Sequence, residues 1–127
     1  MRVLGFNQRW PKLNLDKPVE LRPDFGTFRF TRKDRDWQVD EIVEVVIHPR
    51  KKGGGEHTGI AEIFDKEPRN MTLASGNNSI PMVTEQEAKS DGFTSVEDMQ
   101  LWMQKSHPDH AYYEPMNKIS LRWLTHE

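Results

Sequence analysis

The chain has 127 residues, 35% hydrophobic and 30% charged, with no cysteine and a formal net charge of −2, a composition that fits one compact domain over residues 1–127. Disulfide frameworks and cysteine-held zinc are thereby excluded. No stretch approaches the roughly 20 apolar residues of a membrane span, and the opening MRVLGFNQRW lacks the apolar run of a signal peptide. The expectation is a cytoplasmic protein with no membrane partner. Mean hydropathy is low, −0.83. Four Trp, six Phe and six Met nevertheless supply large core pieces and argue against disorder.

In chain order, Val3, Leu4 and Phe6 predict a first strand, and Pro11, Pro18 and Pro23 punctuate a long connection that holds no long helix. Phe28 and Phe30 alternate with Arg29 and Thr31, and Ile42 to Ile47 form a β-branched run bounded by Pro49, so both read as strands. The Lys51-Lys52-Gly53-Gly54-Gly55 stretch reads as a turn, and His57 to Phe64 as the returning strand of an antiparallel hairpin. Pro68 to Ser79 is polar, with Ser75-Gly76-Asn77-Asn78 as a turn, and reads as a loop or as one short irregular strand. Thr84-Glu85-Gln86-Glu87 is a capping-box pattern opening a short helix, and Thr94-Ser95-Val96-Glu97 a second one opening a helix to about Ser106. Val96, Met99, Trp102 and Met103 recur at helical spacing and form its buried stripe. Pro108 stops it, and Ile119 to Leu124 make a closing strand. The class is α+β, with a curled sheet closing as a small barrel and two helices packed at its rim.

Charge is unevenly spread. Residues 1–52 carry twelve Lys/Arg against eight Asp/Glu, and residues 53–127 carry six against twelve. The basic half, with Arg22, Arg29, Arg32, Lys33, Arg35 and the Arg50-Lys51-Lys52 run before the glycines, suits anionic partners. The alternative is that these charges merely keep a small protein soluble. The acidic half offers a surface for a protein-interaction, host-modulating module. The glycine turn lacks the Gly-Lys-Ser/Thr ending of a Walker loop. His48, His57, His107, His110 and His126 are not at metal-ligand spacing, so no metal and no cofactor is expected. No Gly-x-Ser-x-Gly elbow is present.

Thr27 and Arg29 fall on the same face of their strand, a hydroxyl beside a guanidinium that suits a carbonyl, a phosphate or a base edge. Asp91, in the break between the helices, reads either as a linker residue or as an active-site acid.

The runs Phe6 to Trp10, Thr27-Phe28-Arg29, Asp34 to Ile42, Thr84 to Ala88 and "DGFTSVEDMQLWM" from Asp91 together resemble the ASCH family of PUA-like domains, in an order that covers most of the chain. The Asp34 to Ile42 run is also similar to small phage and prophage ASCH-like proteins, which would place the protein in a bacterium or an infected host cell. The resemblance implies a PUA-like barrel with a cleft for RNA, a nucleotide or a modified nucleoside. One bacterial branch of the family is an acetylcytidine amidohydrolase using a Lys, a Thr and a Glu. Thr27 matches that Thr, and Asp91 matches the Glu with a shorter carboxylate. The family's Lys stands three residues before the Thr, where this chain has Asp24, and a Gly-Asp pair expected before the following strand is here Asp40-Glu41.

A carboxylate at Asp24 supplies neither the charge nor the reach of an amine, so hydrolysis would need Lys17, or Lys12, from the preceding connection. Binding asks less. The expectation is therefore a nucleic-acid or nucleotide-binding module using a basic cleft around Thr27 and Arg29, with Arg9, Arg32, Arg35, Lys51 and Lys52 on phosphates and Trp10, Phe25 or Trp37 stacking on a base. The alternatives are an amidohydrolase with Thr27, Asp91 and Lys17 as its catalytic set, or the protein-interaction module. Oligomeric state is left open, with a monomer favoured.

Overall fold

A computed structural model describes residues 1–71, 80–109, 114 and 116–125. Five strands, β1 (Arg2–Phe6), β2 (Phe25–Phe30), β3 (Ile42–Ile47), β4 (Glu56–Arg69) and β5 (Met116–Leu124), join two helices, α1 (Glu85–Ser90) and α2 (Val96–Ser106). Hydrogen bonding orders the strands β1-β3-β4-β5-β2 in one sheet. β1 runs parallel to β3 and β3 antiparallel to β4, so the sheet is mixed. A parallel pair needs a long crossover, and residues 7–41 provide it. The α+β class and the mixed sheet with two helices follow directly from these elements.

The contacts divide the chain into two compact units that interleave along the sequence: Met1–Phe25, Gln38–Asp65 and the end of the chain from Ser120, and then Gly26–Trp37 with Lys66–Ile119.

In the first unit, Leu4, Val43, Val45, Ala61, Ile63 and Leu121 have no measurable exposure. They sit at alternate positions of their strands, as a strand with one covered face requires. Two short 3-10 turns, Pro11–Leu13 and Val19–Leu21, occupy the proline-rich connection, each too short to bury more than a residue such as Leu13. The Phe6 ring meets the Phe25 ring at 6.3 Å, edge to face, and Phe25 in turn meets Trp123 at 5.2 Å. The hairpin of β3 and β4 forms through the glycine turn, with a bulge between Val45 and Val46. Before β3, Asp40 takes φ 72, a left-handed backbone that glycine adopts more readily, and its N–H donates to Ile63 O at 2.7 Å. Glu41 beside it accepts two 2.7 Å hydrogen bonds from Arg2, a bidentate pair tying β1 to the start of β3.

In the second unit the helix signals are realised with one shift. Thr84 caps α1 with a complete capping box, its hydroxyl accepting from Glu87 N while the Glu87 carboxylate accepts from Thr84 N. The cap of α2 is Ser95 rather than Thr94. Ser95 Oγ accepts from Asp98 N at 3.0 Å, and Asp98 Oδ2 accepts from Thr94 N, so the reciprocal acid is Asp98 and not Glu97. Val96, Met99 and Met103 are buried as their spacing predicts. Trp102 is only half-buried, resting against Phe93 at 5.6 Å and His107 at 6.1 Å, so it borders the core instead of filling it. β4 also runs further than the sequence suggests, to Arg69, through the polar stretch Asp65–Glu67 and Pro68. The remainder of the expected loop, residues 72–79, lies outside the described residues. Among the described residues no helix is long and apolar enough to cross a membrane.

Candidate functional site

The site begins on β2. Thr27 and Arg29 occupy alternate positions and share a face, and Arg29 Nε lies 3.4 Å from Thr27 Oγ1, to which it donates. Thr27 is buried, 5% exposed. Burial pushes the Arg29 guanidinium down to about 10, and the charge of Asp91 partly offsets that fall. Asp91 follows α1 as its C-terminal cap, its N–H donating to Glu87 O at 3.0 Å, and is itself buried at 8% exposure. A buried acid near a half-buried guanidinium compensates a charge that neither residue would carry there alone at low cost.

Glu87 is the second focus. As the third residue of α1 its carboxylate turns back to Thr84 N at 3.0 Å, and it also accepts from Lys118 Nζ at 2.8 Å and Arg69 Nη2 at 3.1 Å. Arg69 Nη2 reaches Glu67 as well, at 2.6 Å. Burial alone would raise the Glu87 carboxyl, but the bonds from Arg69, Lys118 and Thr84 outweigh it and hold it at about 2. Glu87 is thus an anion under all ordinary conditions, and Lys118 is anchored beside it.

These residues line one cavity of about 310 Å³: Thr27 with its neighbours Gly26 and Phe28, Asp91, Glu87 with Lys118, and the hydroxyl residues Thr84 and Ser90. Its lining carries one lysine and two carboxylates, so it is a mixed, hydrogen-bonding pocket and not the basic cleft expected. The volume lies at the lower end of small-ligand sites, which suits one heterocycle better than a polymer strand.

The other expected residues divide between the units. In the second, Arg32 pairs with Asp34 at 3.0 Å, and Arg35 is exposed. Trp37 is buried at 4% exposure, where its ring is packed into the core instead of presented to a base. The acidic run is structural. Asp36 accepts from Lys66 at 2.9 Å, Asn117 at 2.8 Å and Arg32 N at 3.2 Å, clasping the 31–37 connection to β4 and β5. Although burial opposes it, these donors keep the Asp36 carboxyl below its ordinary range.

In the first unit, Arg9 is exposed and hydrogen-bonds Glu56, and half-buried Trp10 lies under Lys12 at 5.7 Å. Lys51 and Lys52 line a separate concavity on the glycine turn. Lys17 is exposed, and its carbonyl accepts from Arg22 Nε at 2.9 Å.

Glu87, Lys118, Thr84 and Ser90 are site residues that the sequence does not announce. Thr84 and Glu87 are visible as a capping box, which explains their helix and conceals that the same carboxylate faces a cavity. Lys118, one lysine in an alternating strand, gives no sequence signal at all.

Among the described residues no group of three or more His, Asp and Glu side chains is arranged to hold a metal ion; His110 and His126 lie outside them. His57 is exposed and 3.1 Å from Glu44, while His107 packs edge-on to Phe30 at 5.4 Å. No family model matches this chain, and no curated protein or solved structure matches it either.

Proposed function

We propose that the Thr27 pocket binds a nucleoside or nucleotide through its base, and that the protein is a small PUA-like, ASCH-type binding module. The observation that carries this reading is the joint lining of one cavity by the Thr27 hydroxyl, the Asp91 carboxylate and the Lys118–Glu87 pair. Together they offer an acceptor-rich wall and a single cationic donor, which complement the mixed donors and acceptors of a base edge. The low volume, and a lining of one lysine against two carboxylates, favour the base of a free nucleoside or nucleotide over an RNA strand.

The experiment is calorimetric titration of the full chain with cytidine, acetylcytidine and their monophosphates. Saturable binding that Thr27→Val and Asp91→Asn each weaken by about tenfold, the loss of one hydrogen bond to a charged or buried group, supports the proposal. No binding, or binding indifferent to both substitutions, ends it.

Hydrolysis of an acylated base is the second reading, and one observation favours it: an amine, Lys118, lines the same cavity as Thr27 and a carboxylate, although position 24 is an aspartate. In this reading the Thr27 hydroxyl passes its proton to Asp91 and attacks the acyl carbonyl beside the positive charge of Lys118, not Lys17; the acyl C–N bond breaks, the freed exocyclic amine takes that proton, and water then hydrolyses the threonyl ester. Chromatography of cytidine released from acetylcytidine, compared between the wild type and Lys118→Met, tests it. Turnover lost in Lys118→Met and retained in Lys17→Ala would establish it over simple binding.

A further inference from the structure

The turn between β3 and β4 carries a concavity separate from the Thr27 pocket. The chain reverses at His48, φ 52, and the amides of Lys51 and Gly54 donate to His48 O at 3.0 Å and Lys51 O at 2.9 Å, forming two tight turns in succession. Gly53, Gly54 and Gly55 then take φ of 95, 88 and 79, a run of left-handed backbone that side-chain-bearing residues adopt only with strain. At Gly55 a Cβ would lie 2.4 Å from the carbonyl oxygens of Ile47 and His48, so the loop can fold back on β3 only with glycine there. The result is a cavity of about 300 Å³ bordered by His48, Lys51, Lys52, Gly53, Gly55 and Glu56.

The charges around it are unbalanced. Glu56 is the acid of the lining, and it is already engaged by Arg9, which lies outside the lining. Among the described residues no carboxylate pairs with Lys51 or Lys52. Nothing lies within 4 Å of the position a Cβ would take at Gly53, so a ligand meets bare main chain at that point. Two lysine point charges beside an unshielded glycine backbone suit a compact oxyanion that approaches the chain closely. A phosphate dianion matches both lysines, whereas one carboxylate leaves a cation uncompensated.

We propose that the His48–Glu56 turn is a phosphate-binding site, in which Lys51 and Lys52 neutralise the oxyanion and the glycine backbone admits it. This goes beyond the Thr27 pocket and does not depend on it. The phosphate can belong to a free monoester, such as a nucleotide, or to the phosphodiester backbone of a single-stranded nucleic acid.

The test is an amide-resolved NMR titration of the full chain with inorganic phosphate, against sodium chloride at matched ionic strength. Saturable shifts at Gly53, Gly54 and Gly55 with phosphate and not with chloride are expected. The Lys51→Ala/Lys52→Ala double variant should weaken binding by about tenfold or more, whereas Lys33→Ala/Lys105→Ala, which removes the same charge at exposed positions elsewhere, should not.

Two further arms separate the sources: tighter binding of a nucleoside monophosphate assigns the site to small molecules, and tighter binding of a short oligouridine assigns it to nucleic acid. In the second case affinity falls with salt, and the slope shrinks by about 0.7 for each phosphate contact removed. Absence of shifts at the three glycines in every arm, or affinity unchanged in the Lys51/Lys52 variant, overturns the proposal. Since the readout is confined to this turn, failure at the Thr27 pocket does not alter it.

Discussion

Arg29 Nε donates to Thr27 Oγ1 across 3.4 Å, between alternate positions of one strand, and the guanidinium that makes this long contact also feels the buried Asp91. The hydroxyl is therefore oriented by a cation that burial disfavours and a carboxylate sustains. Removing the acid should be felt at the base. We expect Asp91→Asn to lower the Arg29 pKa below about 10 and to cost about 2–4 kcal/mol of stability, because it leaves a half-buried cation without its counter-charge. Carbon-13 titration of the Arg29 guanidinium and urea unfolding measure the two effects. An unshifted Arg29 would show that the two residues are not coupled.

Glu87 makes acid stability specific. Its carboxyl is held at about 2, below the ordinary 4.5, so its contribution is complete above about pH 4.5 and is lost as pH falls through about 2. The shift corresponds to at most about 3–4 kcal/mol. Urea midpoints of the wild type and Glu87→Gln should differ most at pH 7 and converge only as pH reaches about 2 and below. A gap independent of pH would mean that the substitution acts through packing alone.

Core placement on α2 predicts an order of costs. Met99, with no exposure, should lose about 2–5 kcal/mol on replacement by alanine. Trp102, half-buried, should lose less than Met99 despite its size, and Leu101, 61% exposed, should lose under about 0.5 kcal/mol. Chemical denaturation of the three variants checks the ranking.

The glycine turn should discriminate between adjacent positions. Gly53→Ala meets no neighbour and should cost about 1 kcal/mol for its left-handed backbone, whereas Gly55→Ala drives a methyl into two carbonyls and should cost more than twice that. Equal costs would mean that the turn is not held in this conformation.

How far the sequence carries is visible at particular residues. The β-branched run Ile42 to Ile47 and the Thr84 capping box are legible because local chemistry decides them: side-chain alternation in one case, an orphan N–H in the other. The α2 cap moves to Ser95 because either hydroxyl can cap a helix and only the local φ and ψ choose. The extension of β4 through Asp65–Arg69 is hidden, since its polar residues are satisfied by partners remote in sequence, as Lys66 is by Asp36. The same holds for the site. Thr27 and Asp91 can be named from motif order, whereas Arg29, named with them, is not part of the cavity lining, and Lys118 enters only through its bond to Glu87, a pairing across 31 residues that no local pattern encodes. Trp37 fails as a stacking residue because tryptophan alone does not say whether its ring faces core or solvent.

The most direct test of the central claim is an amide-resolved NMR titration of the full chain with acetylcytidine and cytidine. Base binding in the Thr27 pocket predicts saturable shifts clustered at Gly26–Phe28 and Thr84–Asp91, with a midpoint raised about tenfold in Thr27→Val and the fold of that variant intact. Absence of shifts, or shifts that spare both segments, would contradict it.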